Sequence, residues 1–429
     1  MNLTRRALLF ASLTVLLAIV GLWGADALLR RLWQVPAALL LLGLAAEGFM
    51  NRSLQVEADF AGRLRARLGR PIDVVLHWRA TRPVTLRFMA AAPASFEIAA
   101  RAHTMLAGPD SVESRLPALP VRLGRAPWPV LRGRVLGILG LAWWDRAFKV
   151  AGESSVEPDM LRGGRGNESL TLRGVARRSL AGAGAEVHEL REYRPGDPLR
   201  SIDWKASARI GRWIARDFVA EQHLEIVIVL DTGRTSGIAI DRLTRLGHYV
   251  NTACRFAQHA TMNEDRVGLV TFADRPLIAL APDHGQRAAI RLRSHLANAA
   301  PVGRESNLLP AAARVLALCK QRALVVLMLD LDDTGSEGQL GQAVRLLRPK
   351  HLPVVCGILS PELGALRERE GQRWIDPYVS LAAAEQISRI RANSAALRQL
   401  GAPVVLAPPA QFEDAVQGTY DQMRARRRV

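Results

Sequence analysis

The sequence predicts an α/β protein with an N-terminal transmembrane hairpin, a small β-sandwich-like domain and a larger domain built on a parallel sheet. Three observations carry this expectation. Two long apolar runs lie within the first 50 residues, short alternating segments fill 51–150, and near-continuous apolar strands alternate with helices over 223–429. With 429 residues, 49% of them hydrophobic, the chain exceeds one ordinary core and divides into two or three domains.

The charge balance excludes more than it identifies. There are 58 basic against 40 acidic residues, a net +18 that by itself fits an anionic partner or membrane surface. Only Lys149, Lys205, Lys320 and Lys350 are lysines, however, so the excess reflects arginine-rich, GC-biased coding. The arginines are scattered and aromatics make up 5% of the chain, too few to interleave stacking rings with cations, so no nucleic-acid partner is expected. Cys254, Cys319 and Cys356 lie far apart in apolar segments and read as buried thiols of a reducing compartment. No lysine follows a glycine as a Walker A loop requires, and "HELRE" from His188 has Glu192 where a zinc-protease helix has its second histidine.

Taken from the N-terminus, Ala7–Trp23 is an uncharged run of nearly the ~20 residues that span a bilayer, with Arg5 and Arg6 before it. A second run, Leu32–Phe49, follows Arg30 and Arg31 and is interrupted only by Gln34 and Glu47. The small-x-small triplet Ala25–Ala27 fits a signal-peptide cleavage site, but the first run is longer than a signal core and a second follows at once. Residues 1–50 are therefore expected to form a two-pass hairpin of the inner membrane. Arg52, Arg63, Arg65, Arg67 and Arg70 place everything after Met50 in the cytoplasm.

Over 51–150, "IDVVLHWRA", "VTLRFMAA", "SFEIAARA", "SRLPALPVRL" and "GRVLGILGLAWW" have strand length and Pro or Gly punctuation, as in a small sandwich. A glycine- and charge-rich linker is expected over 151–185. The motif "REYRPGDPLRSIDWKASAR" then dominates 186–222. Pro195 presets φ for a turn, Gly196 supplies the position that needs positive φ, and Pro198 blocks a continuing helix. Around that corner Glu189, Glu192, Asp197 and Asp203 can pair with Arg191, Arg194, Arg200 and Arg209, and Trp204 is expected to be buried. With no histidine or cysteine, and no base beside Ser201, the segment reads as a structural clasp on the next domain rather than a nucleophile site.

From 223 onward "EIVIVLDT", "RVGLVTFA", "ALVVLMLDL", "LPVVCGIL" and "APVVLAPP" read as core strands, with helices near Asp241–Met262, Gln286–Ala299 and Leu308–Gln321. Asp231 and Asp330 fall at the carboxyl ends of two of these strands, where open α/β sheets place ligand sites.

"EYRPGDPLRSIDWKASAR" resembles the signature of the bacterial domain-of-unknown-function-58 family, with Glu192, Tyr193, Pro195, Gly196, Asp197, Arg200, Asp203, Trp204 and Arg209 as its elements. The domain after it resembles a von Willebrand factor A-type (Rossmann-type) fold. The resemblance implies a membrane-anchored, non-enzymatic adaptor or assembly protein whose partner is a MoxR-type AAA+ ATPase. It also implies a metal-ion-dependent adhesion site, carried over as Asp231 and Thr235 of "DTGRT", Ser306 of "ESNL" and Asp330 of "MLDLDD". Those oxygens would suit magnesium. Gly233 stands where the first serine of that loop belongs, so magnesium binding is expected to be weak or absent. A metal-dependent hydrolase using Asp231 and Asp330 is the alternative, with Asp332 and Asp333 as the only nearby acidic reserves.

Overall fold

The structure, a computed structural model, describes residues 2–23, 30–60, 62–160, 181–195, 197, 199–219, 223–331, 337–369 and 371–425. Two helices, Arg5–Trp23 and Gln34–Arg52, pack against each other and are long and apolar enough to cross a membrane. Most of their apolar side chains face outward. At 19 residues each they are roughly 28 Å long, close to the thickness of a hydrocarbon core.

A β-sandwich follows. One five-stranded sheet runs in the order Asn2–Leu3, Ala142–Phe148, Leu131–Leu136, Val84–Met89, Ala102–Ala107, all antiparallel. The second runs Val150–Ala151, Val56–Phe60, Ile72–Ala80, Val112–Pro120, Phe96–Ile98. Alternation explains the core: Val74, Leu76 and Trp78 of one sheet point inward and meet Leu86, Phe88 and Phe148 of the other. Trp78 packs at 4.5 Å from Phe88 and edge-on at 5.4 Å from Phe148. Two local expectations change. "GRVLGILGLAWW" is not one strand but a hairpin, turning at Gly137–Gly140, where Gly140 takes φ +69°. Glu153–Glu157, within the stretch expected to be linker, is a strand paired with Leu64–Arg67 and Gly124–Pro127.

The membrane hairpin is joined to this sandwich at both ends. Asn2 and Leu3 pair with Trp143 and Ala142, and the Thr4 hydroxyl donates to Gly140 O at 2.6 Å. At the other end Glu47, which reads as an interruption of an apolar run, is 1% exposed. Its carboxylate accepts from the Leu141 and Ala142 amides at 2.9 and 3.1 Å and from Trp144 Nε1 at 3.4 Å. Gly137 makes room for it, since a Cβ there would lie 2.2 Å from the carboxylate. Arg82 donates to Met50 O at 3.2 Å, and Arg146 to Asn51 O. Residues before the first helix and after the second thus lie on the same side of the helix pair.

The C-terminal domain is α/β and von Willebrand factor A-like. Its six-stranded sheet runs Pro276–Asp283, Arg266–Phe272, Glu225–Asp231, Ala323–Met328, Leu352–Ile358, Val404–Ala407. All pairs are parallel except the edge strand Pro276–Asp283, which the sequence pattern does not reveal. Ile226, Ile228 and Leu230 face the layer of helices Arg245–Met262, Gly285–Leu296 and Pro409–Ala425; Val227 and Val229 face that of Leu308–Leu318, Glu337–Leu347 and Asp376–Gln399. Burial on both faces is why these strands are continuously apolar. The chain leaves Glu225–Asp231 toward one edge and later returns to its other side, so a crevice opens at the carboxyl ends of Glu225–Asp231 and Ala323–Met328.

Asp159 fixes this domain on the sandwich. The carboxylate is buried and takes Arg70 from the sandwich at 2.6 Å and Arg255 from the C-terminal domain at 2.7 Å, with Arg67 at 3.8 Å. Asn251 bridges the same boundary, accepting from Asp159 N at 2.9 Å and donating to Leu68 O at 3.2 Å.

Removing the Glu47 carboxylate strands two buried amides at the foot of the membrane hairpin. Glu47→Ala is expected to destabilise the full chain by about 3 kcal/mol, and to expose the Leu141 and Ala142 amides to hydrogen exchange in detergent micelles. Unchanged protection at those two amides would show that the helix pair is not held through Glu47.

Candidate functional site

The motif segment forms a two-stranded antiparallel ribbon, Ala181–Glu192 with Ile214–Val219, closed by a compact corner. Asp197 organises that corner. Arg191 donates to both its oxygens at 2.7 and 2.9 Å, the Arg194 amide adds a bond at 2.9 Å, and the Tyr193 hydroxyl reaches Asp197 O at 2.9 Å. The Arg191 guanidinium, with that amide, holds the Asp197 carboxyl down to about 2. Glu192 lies 3.6 Å from Arg212. Asp203 is the N-cap of the Trp204–Ile210 helix and accepts from the Lys205 and Ala206 amides at 3.0 Å each; Arg209 sits in the last turn, and Gly211 at φ +73° ends it. Pro195 is exposed, whereas Gly196, Pro198 and the Arg200 side chain lie outside the described residues.

Trp204 overturns the expectation that it is buried. It is 66% exposed, as the first residue of a short helix whose Ser207 hydroxyl accepts from the Ile214 amide at 2.9 Å. Trp213, Ile210 and Leu199 are exposed beside it in sequence. The corner is a clasp for its own ribbon, and its aromatic residues face outward.

The switch point at the sheet's carboxyl edge brings the other expected residues together, but in two sets. Asp231 is buried at the end of its strand, and its Oδ1 accepts from the Gly233 amide at 2.8 Å and the Ser306 hydroxyl at 2.6 Å. Gly233 has an ordinary extended backbone; it is required for space, because a Cβ there would lie 2.1 Å from Ser306 Oγ. Asp330, 7% exposed, is ion-paired with Arg245, 4% exposed, in the first turn of the Arg245–Met262 helix. Thr235, Arg245 and Asp330 line one cleft of about 520 Å³ together with Ser360, Glu362 and Gln386. Thr235 Oγ1 is buried with no hydrogen-bond partner among the described residues. One turn beyond Arg245, the buried Tyr249 donates to Leu329 O at 2.7 Å, and burial pushes its hydroxyl pKa up.

Both carboxylates of the expected metal set are already engaged. Thr235 offers an available hydroxyl, but Asp330 is held by a guanidinium, and Asp231 already accepts two hydrogen bonds on one oxygen. Two carboxylates and one guanidinium leave a single negative charge where magnesium sites offer more. Asp332 and Asp333 lie outside the described residues. Among the described residues no cluster of three or more His, Cys, Asp or Glu side chains could hold a metal. All three cysteines are buried, and burial pushes Cys254 up to about 12 and Cys319 up to about 11, which keeps both as inert thiols. The sequence reading overlooked Arg245. Its signal was a cation in register with the buried stripe Tyr249, Thr252, Phe256 and Ala260 of the same helix.

The fold and switch point define a von Willebrand factor A-like domain carried behind a membrane hairpin. Residues 189–368, from the motif ribbon through the Pro361–Arg367 helix, match the family described as protein of unknown function DUF58. Among curated proteins none matches the chain. Solved structures similar to it include the conserved hypothetical protein BatB from Bacteroides thetaiotaomicron, at 14% identity and TM-score 0.32, covering 47% of this chain and 99% of that one. An aerotolerance-related membrane protein from Bacteroides fragilis NCTC 9343 has 13% identity and TM-score 0.26, covering 42% and 98%. The vWF domain of the type V pili tip protein Mfa5 from Porphyromonas gingivalis has 9% identity and TM-score 0.34, covering 47% and 95%.

Because Ser306 Oγ fills the space beside Gly233, restoring a serine there is expected to crowd the loop rather than build a ligand. Gly233→Ser should cost about 1–2 kcal/mol in thermal unfolding. Adding Ser306→Ala should recover most of that loss, since the new hydroxyl can take over the bond to Asp231. A Gly233→Ser chain as stable as the parent would mean that the Ser306 hydroxyl does not need this space.

Proposed function

We propose that the chain is a membrane-anchored, non-catalytic adaptor that docks a partner, a MoxR-type AAA+ ATPase by family resemblance, on the carboxyl edge of its A-like sheet. The observation that carries this reading is a group of exposed aromatics at the start of a helix that also lines the cleft. The Asp376–Gln399 helix contributes Gln386 to the cleft wall, and at its start it carries Tyr378 and Leu381, both exposed, next to Trp374, which is 82% exposed. Trp374 and Tyr378 meet edge-to-face at 6.4 Å. Clustered exposed aromatics beside a concave surface are the usual anchors of protein interfaces. The hydrolase alternative fares worse, because neither Asp231 nor Asp330 is disposed as a general base: one accepts from its own loop and the other is paired with Arg245.

The two helices serve as the anchor, with the sandwich and A-like domain on the cytoplasmic face of the inner membrane. Support comes from the arginines that cluster where the hairpin meets the sandwich: Arg5 and Arg6 opening the first helix, Arg52 ending the second, and Arg63, Arg65, Arg67 and Arg70 following it. A reporter active only in the cytoplasm, fused after the last residue, is expected to be active; activity of a periplasm-only reporter at that point would reverse the orientation.

For docking, Trp374→Ala combined with Tyr378→Ala should weaken capture of a purified MoxR-type ATPase by at least tenfold, or about 1.4 kcal/mol, while leaving the melting temperature nearly unchanged. Loss of capture in Trp204→Ala instead, with the Trp374→Ala/Tyr378→Ala variant binding normally, would move the docking surface to the motif ribbon. Hydrolysis of a phosphoester or peptide that disappears in Asp231→Ala would replace the adaptor with an enzyme.

A further inference from the structure

We propose that Arg245 is the resident cation of the switch-point cleft: its guanidinium stands where a divalent ion would be needed, so this face binds its partner without metal. The second half of that statement rests on the docking reading; the first half stands without it.

Two carboxylates at the ends of neighbouring strands repel each other in a poorly solvated crevice, and the repulsion must be offset by a cation. An A-type fold commonly meets that need with an ion from solvent. Here the chain supplies its own. Arg245 is held in place from both directions: its amide donates to Ile238 O at 2.8 Å, and Thr244 caps the same turn by accepting from the Gly247 amide at 3.1 Å. From that fixed backbone the side chain runs into the cleft and ends on Asp330, with both partners almost wholly buried.

A guanidinium is permanently charged and does not leave such a site by losing its proton. A divalent ion approaching Asp330 would have to share the carboxylate with a second cation, or drive Arg245 out of its buried position. The remaining hydroxyls are too few to compensate. Ser306 Oγ donates to Asp231, so Thr235 Oγ1 is the one hydroxyl of the expected set that has no hydrogen-bond partner among the described residues. Unlike a bound metal, this cation does not exchange, cannot be chelated and does not depend on cellular magnesium.

The test is thermal unfolding of the full chain in detergent, in EDTA and then with magnesium or manganese at about 10 mM. The parent chain is expected to be indifferent to either ion. Arg245→Met should melt lower in EDTA, because it leaves the buried Asp330 carboxylate without its guanidinium, and should regain roughly 3 °C or more on addition of manganese or magnesium. That regain should vanish in Arg245→Met/Asp330→Asn. Stabilisation of the parent by magnesium, abolished by Asp330→Asn, would overturn the proposal, and so would an Arg245→Met chain that responds to neither ion. If Arg245→Met does not fold, the parent and Asp330→Asn still decide the matter: a magnesium response in the parent refutes the resident cation, and its absence supports it. Partner capture should be equal in EDTA and in magnesium, and EDTA-sensitive capture would refute metal-free binding. Failure of capture under both conditions would count against the docking reading alone, because the melting curves require no partner.

Discussion

One carboxylate sets the orientation of most of this molecule. Asp159 sits between the sandwich and the A-like domain, holding Arg70 on one side and Arg255 on the other, and Arg255 reaches on to Glu413 in the last helix. A buried carboxylate with several guanidinium partners is costly to break, because losing one partner leaves charge stranded out of water. Leu243, which precedes the A-like domain's first long helix, is packed into the sandwich core. With Glu47 joining the two apolar helices to the sandwich in a comparable way, the path from those helices to the carboxyl edge of the A-like sheet runs through buried polar joints. The angle between the helix pair and the A-like domain is therefore a property of the fold.

The same device recurs at each junction: a carboxylate is withdrawn from solvent and satisfied by groups from a different element. Glu47 takes sheet amides, Asp159 takes guanidiniums, and Asp330 takes Arg245. In an arginine-rich chain the forked, permanently charged guanidinium is the natural partner for such groups. A residue pattern that looks like a catalytic or metal constellation can thus also join elements of the fold.

How much of this was legible depended on whether the deciding contact was local. The sheet was legible because Ile226, Val227, Ile228 and Val229 are buried on both faces, which leaves an unbroken apolar run that only a covered strand produces. The edge strand Pro276–Asp283 was not, since prolines at both ends and an exposed face disguise it. The hairpin at Gly137–Gly140 was readable in principle from its glycines, yet its flanks merge into one apolar stretch. Trp204 could not be placed from sequence, because nothing in a short amphipathic segment records whether another layer covers it. For the site, Asp231 and Asp330 followed from their position at strand ends, but the deciding residue, Arg245, meets Asp330 only through the crossover of the sheet.

The pairing of Asn2–Leu3 with Ala142–Trp143 bears on the order in which the protein is assembled. Asn2 and Leu3 complete a sheet whose partner strand lies much later in the chain, after both long apolar helices and most of the sandwich. Contacts of such sequence separation form slowly and late. The sandwich therefore cannot close over its first edge until the helix pair has returned the chain to its starting side. A chain whose helix pair fails to turn back therefore leaves the Ala142–Phe148 edge of the sandwich unpaired, and an open strand edge is a template for pairing with another chain.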